Sequence, residues 1–178
     1  MMNNSAVPPA ELLPWLTHEQ FLTKKLLAQA GDARLRVLNQ SWKSTPWWDK
    51  YALLLDCECV MHREILTLAW DKPCWYARTI LPRTTYKADQ ALFDRLQTET
   101  LGTLIFEGTQ IERVSLRHYA INQQAIEYHW LTPAMKQGAE CFWVRSSVFK
   151  LKSVTCSDHC FYLIEILLPG LESYLCSG

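Results

Sequence analysis

Glu165 lies in FYLIEILLP, where a charge is hard to accommodate. With period-two alternation Phe161, Leu163 and Leu167 share its face, while Tyr162, Ile164, Ile166 and Leu168 take the other. A carboxylate between two apolar faces is costly to bury unless it is paired, hydrogen-bonded or protonated, so the fold must bring it a partner or a polar cavity. A structural ion pair and a ligand site both meet that need. Arg63, in MHREILTL, is the matching cation, with Ile65 on its face and Leu66 and Leu68 opposite; Arg78 lies in the next apolar segment, YARTILP. Two guanidinium groups near one carboxylic acid, inside hydrophobic walls, would hold a small cyclic or aromatic diacid, because arginine grips carboxylates bidentately and keeps its charge. Hairpin register decides whether Arg63 and Arg78 share a face. Pairing Trp70 with Cys74 would oppose them, and pairing Asp71 with Cys74 would bring them together.

Other chemistry-bearing residues point less sharply. Arg113 and Arg117 alternate with Ser115 in IERVSLRH and read as a solvated sheet face before they read as a binding patch. Cys57, Cys59 and His62, and likewise Cys156, His159 and Cys160, lack the repeated CxxC spacing of a zinc site, so no metal is expected. The five histidines, including His18, His118 and His129, stand without a GxSxG motif or a partnered nucleophile, which argues against nucleophilic catalysis. Neither GxGxxG nor GxxxxGK[ST] occurs, and no cofactor is expected. Eight tryptophans in a chain with 18 basic and 18 acidic residues read as packing; that neutrality speaks against nucleic acid or anionic lipid as partner.

The elements that must position these residues follow from capping, period and turn signals. Thr17 and Gln20 resemble a capping box for a helix that carries Phe21, Leu22, Leu26 and Leu27 and stops at Gly31. Met61 to Trp70 and Cys74 to Leu81 read as a hairpin around Asp71-Lys72-Pro73. Helical spacing covers Asp89 to Gln97 and Leu101 to Phe106, and strands are expected at Gln110 to Tyr119, Glu140 to Leu151 and Phe161 to Leu168. This order does not alternate as parallel βαβ units do, so the expected class is α+β with a single antiparallel sheet. At 178 residues, 49% of them hydrophobic, the chain should form one domain over residues 17–178 behind a partly flexible segment 1–16. No signal peptide or membrane-length apolar run is evident, and seven cysteines suit a reducing compartment, so a soluble cytoplasmic monomer is expected.

FLTKKL, HREILTL, YARTILP, TLGTLIF and YLIEILLP, in that order, resemble the chorismate lyase (chorismate pyruvate-lyase) family of ubiquinone biosynthesis, over about Thr17 to Pro169. The resemblance implies helical flaps over one side of the sheet, an enclosed cavity, and cofactor-free conversion of chorismate to 4-hydroxybenzoate and pyruvate. By the same resemblance Arg63 binds a carboxylate and Glu165 engages the ring-hydroxyl end, both as catalytic residues. Leu22 and Leu101 make main-chain contacts, and Arg78 assists with the second carboxylate. Three departures stand out: Leu22 where the family often has methionine, Ala77 where it often has glycine, and a longer stretch over residues 153–160. An enzyme of this kind need only orient chorismate and stabilise charge as the enolpyruvyl ether breaks. The hydrogen would reach the departing methylene directly or through Glu165, whose pKa an apolar setting would raise toward neutrality. The helix over residues 17–30 and the region 89–106 are the expected movers at product release. The fold also resembles effector-binding domains of bacterial transcription regulators. A non-catalytic binding protein is therefore the alternative, although Arg63 and Glu165 together, with no helix-turn-helix unit recognised, favour the enzyme.

Overall fold

A computed structural model describes residues 6–152 and 159–175. In chain order its elements are α1 (Leu13–Leu16), α2 (Leu22–Ala30), β1 (Arg34–Ser44), α3 (Trp47–Ala52), β2 (Cys59–Ala69), β3 (Lys72–Pro82), α4 (Arg83–Ala88), α5 (Gln90–Asp94), α6 (Leu101–Phe106), β4 (Ile111–Asn122), α7 (Pro133–Lys136), β5 (Cys141–Leu151) and β6 (Cys160–Leu167). Among the described residues the strands form one six-stranded antiparallel sheet in the order β1-β2-β3-β6-β5-β4, the α+β architecture expected. The alternation read from β6 holds. Phe161, Leu163 and Leu167 pack beneath α1, α2, α5 and α6, while Ile164 and Ile166 join Val144, Trp48, Tyr128 and Trp130 on the reverse face. Among the described residues no helix is long and apolar enough to cross a membrane.

Single extra residues in the strands decide which side chains share a face. The β2–β3 turn places Trp70 and Asp71 at φ 48° and 64°, the mirror-image turn that matches strand twist. Trp70 is held by its N–H to Asp32 Oδ2 (2.8 Å) and its indole Nε1 to the Ala30 carbonyl (2.6 Å). This turn pairs Ala69 with Lys72 and Leu68 with Pro73, a register that, uninterrupted, would seat Arg63 across from Arg78. Cys74 is then inserted as a bulge. Thr67 pairs with Trp75, Arg63 with Thr79, and Arg78 with Glu64, so the two arginines point to opposite faces. Neither register considered from the sequence occurs. A second bulge at Val114 separates Arg113, opposite Phe149 on the flap face, from Ser115 and Arg117 on the reverse face.

Several expectations need correction. Thr17 closes α1 instead of opening α2: its hydroxyl donates to the Leu13 carbonyl at 2.9 Å, and α2 starts only at Leu22, after extended Phe21 with no side-chain cap. Trp15 and Leu16 are 1% and 0% exposed, so burial begins within the segment expected to be loose; Pro14 presets the backbone of that short helix. Leu27, expected on the apolar side of α2, is exposed. The other end agrees, with Gly31 left-handed at φ 75° and its N–H on the Leu27 carbonyl. β1 was not foreseen: it is an edge strand with one partner, largely exposed, and a bulge at Leu38 breaks its alternation. α3, α4 and α7 are too short to show a period. The expected long loop at 153–160 falls mostly outside the described residues.

Beyond β6 the chain turns under the hairpin, and a Cβ on Gly170 would overlap the Pro73 carbonyl carbon and oxygen. Because both neighbours there are backbone, Gly170→Ala is expected to destabilise the protein by about 1–3 kcal/mol. The check is the urea midpoint, which should fall without a change in slope.

Candidate active site

The flap face of the sheet and the helices above it leave a narrow pocket, part of it open to solvent. Its floor is Ile65, Trp75, Ala77, Thr79 and Leu163; its roof is Phe21, Leu22, Leu101, Gly102, Ile105 and Phe106. Leu22 and Leu101 are the first residues of α2 and α6, so their N–H groups have no intrahelical acceptor. Thr100 caps α6 by accepting from Thr103 N–H at 3.2 Å, which leaves Leu101 and Gly102 turned to the pocket. The roof is joined by Phe21, whose ring stacks on Phe106 at 6.0 Å and lies where a Cβ of Gly102 would be. Gly102→Ala is therefore expected to lever the two flaps apart, raising amide exchange in α2 and α6 about tenfold while the central strands stay protected.

The charged lining, among the described residues, is three guanidinium groups and one carboxylate: Arg63, Arg113, Arg145 and Glu165. Arg63 extends from β2, and Glu165 lies two strands away on β6, about 10 Å across the sheet, both on the flap face. Arg63 is 4% exposed, and burial pushes its pKa down. Its Nε donates to Gln40 Oε1 at 3.1 Å, and among the described residues no carboxylate comes within ion-pair distance of it. Glu165 is 6% exposed and faces Arg145 on the neighbouring strand, with Arg145 Nη1 3.0 Å from its Oε2. That contact is an ion pair off the hydrogen-bonding direction, which leaves Glu165 Oε2 buried without a hydrogen-bond partner; Arg145 Nε and Arg113 Nε are likewise buried and unpartnered among the described residues. Arg145 Nη2 donates to the His18 carbonyl at 2.6 Å and Arg113 Nη1 to that of Glu19, tying the α1–α2 linker to the pocket.

Of the residues singled out from the sequence, Arg63, Glu165, Leu22 and Leu101 line this pocket together. Arg78 does not. On the reverse face it donates to Glu64 Oε1 at 2.5 Å and to the Tyr76 hydroxyl at 3.1 Å, and its guanidinium lies 3.8 Å above the Trp130 ring. Ala77, where the family often has glycine, sits on the pocket floor beside Glu165. His62 meets Asp49 at 2.6 Å inside the reverse core, and among the described residues none of Cys57, Cys59, His62, His159 and Cys160 lines the pocket; Cys156 lies outside the described residues. Sequence reading missed Arg145 and discounted Arg113. The signal for Arg145 was the one used for Glu165, a lone charge in an apolar strand, CFWVRSSVF.

Fold and pocket together define a single-sheet α+β protein with a cationic pocket beneath helical flaps. The family model described as chorismate lyase matches residues 3–156. The chain belongs to the chorismate lyase family. It is 30% identical to a protein of Aromatoleum aromaticum named probable chorismate pyruvate-lyase, over 92% of this chain and 87% of that one. A protein of the same description from an Azoarcus species is 30% identical over 88% and 85%. Solved structures share the fold: PhnF from Mycobacterium smegmatis has a TM-score of 0.58 at 15% identity, over 90% of this chain and 67% of that one. A GntR-family transcriptional regulator from Bacillus cereus has a TM-score of 0.53 at 13% identity, over 77% and 92%.

Proposed function

We propose that the chain is a chorismate pyruvate-lyase that converts chorismate to 4-hydroxybenzoate and pyruvate in the cytoplasm, supplying the ubiquinone ring. The observation that carries this reading is Arg63, nearly buried and without a carboxylate partner among the described residues, in one pocket with Glu165. An uncompensated buried charge is strongly unfavourable, and a bound anion relieves it. The pocket's formal surplus of two positive charges, three arginines against one glutamate, matches the two carboxylates of chorismate.

Chorismate bears a ring carboxylate at C1, a hydroxyl at C4 opposite it, and the enolpyruvyl ether at C3. Arg63 takes the ring carboxylate, with the N–H groups of Leu22 and Leu101 reaching it from the flaps. Glu165 accepts a hydrogen bond from the hydroxyl at the far end of the ring. Loss of hydrogen from C4 and cleavage of the C3–O bond aromatise the ring, and the bonding pair leaves on the enolpyruvyl oxygen. The methylene then takes the proton, giving pyruvate. Glu165 stands beside C4 in this pose, so its carboxylate can receive the C4 proton and return it to the methylene. The arginines stabilise charge developing on the leaving group.

Incubation of the purified protein with chorismate, following 4-hydroxybenzoate and pyruvate together, tests the proposal. Equimolar release is expected. Binding of chorismate without turnover would assign the chain instead to the non-catalytic effector binders of this fold.

A further inference from the structure

With Arg78 on the reverse face, the pocket needs another cation for the second carboxylate of chorismate. Resting on the lyase reading above, we propose that Arg113 is the specificity-determining residue that binds the enolpyruvyl carboxylate, separating substrate from product. The ether at C3 is next to the C4 hydroxyl, so its carboxylate extends from the Glu165 end of the ring, away from Arg63. Arg113 lies on that side: its strand, β4, pairs with β5, which carries Arg145 opposite Glu165. The bulge at Val114 turns it inward, and its guanidinium rests 5.0 Å from the Phe149 ring and 5.6 Å from the Phe106 ring, inside the apolar wall.

Arg145 is less available for this task. It is 1% exposed, ion-paired to Glu165 and bonded to the His18 carbonyl. Among the described residues Arg113 makes one hydrogen bond, to the Glu19 carbonyl, has no carboxylate within ion-pair distance, and keeps its Nε buried and unpartnered. Burial and the nearby Arg145 charge push its pKa down, while Glu165 and Glu19 push it up. An arginine nonetheless stays charged, so an anion beside it removes an electrostatic penalty. 4-Hydroxybenzoate has lost the enolpyruvyl group and makes no use of Arg113. Binding energy at this position therefore favours chorismate over its own product.

The test compares two constants in the full chain: KM for chorismate, and Kd for 4-hydroxybenzoate by calorimetry. Arg113→Gln is expected to raise KM about 10- to 100-fold, the worth of a charge-assisted pair, and to leave the product Kd within about twofold. Arg113→Lys, keeping the charge without the fork, should fall between the two and decides the matter if the glutamine variant does not fold. An unchanged KM would overturn the proposal. So would an equal loss of chorismate and product binding, which would mean that Arg113 acts only by holding the Glu19 linker. Absence of turnover by the unsubstituted chain is a separate result that removes the lyase reading itself, and this inference with it.

Discussion

Glu165→Gln is expected to lower kcat for chorismate by about 10²- to 10⁴-fold, the range of a lost acid–base group, with the fold intact. Glutamine is the informative replacement because it keeps shape and hydrogen bonding while removing the proton acceptor. Both replacements remove the counter-charge of Arg145, 1% exposed and 3.0 Å from the carboxylate, but Glu165→Ala would also leave a void and no polar atom facing that guanidinium, at a cost of about 3–5 kcal/mol in stability that glutamine, with its amide oxygen in place, reduces. The size of the kcat loss separates the two routes for the hydrogen. A fall of less than about tenfold, with KM carrying the rest, would limit Glu165 to binding the ring hydroxyl and favour direct transfer to the methylene.

Arg63→Met is expected to weaken 4-hydroxybenzoate binding by about 10- to 100-fold and to depress chorismate turnover with it, while leaving the free protein as stable as before or more so. The opposite signs follow from geometry. Arg63 is buried with only Gln40 as a side-chain partner and no ion pair among the described residues, so the unliganded protein carries its desolvation uncompensated. A residue retained for structure would destabilise on removal; one retained for a ligand relieves strain when removed. Calorimetric titration with product and a urea unfolding curve read the two quantities. A marked fall in stability with unchanged product affinity would remove Arg63 from the site.

Much of the fold was legible because the central strands obey simple rules. The apolar alternation of β6, the paired segments of β2 and β3, the glycine stop of α2 and the span of α6 all appear where period and capping put them. Glu165 was legible for the same reason, since a charge between two apolar faces must have a partner, and Arg145 proved to be that partner. Expectation failed wherever one inserted residue reverses a face. Cys74 sends Arg78 to Glu64 and Trp130, and Val114 brings Arg113 into the pocket against its reading as a solvated side chain. Bulges leave no periodic trace, because they interrupt the pattern from which register is inferred. β1 escaped for a related reason: an exposed, bulged edge strand needs little apolar alternation.

The structure of the protein bound to 4-hydroxybenzoate tests the central claim most directly. The ring is expected between the sheet and the two flaps, its carboxylate on Arg63 and the first N–H groups of α2 and α6, and its hydroxyl on Glu165. Product seated on the reverse face against Arg78 and Trp130, or held beneath the flaps with Arg63 and Glu165 both untouched, would contradict it.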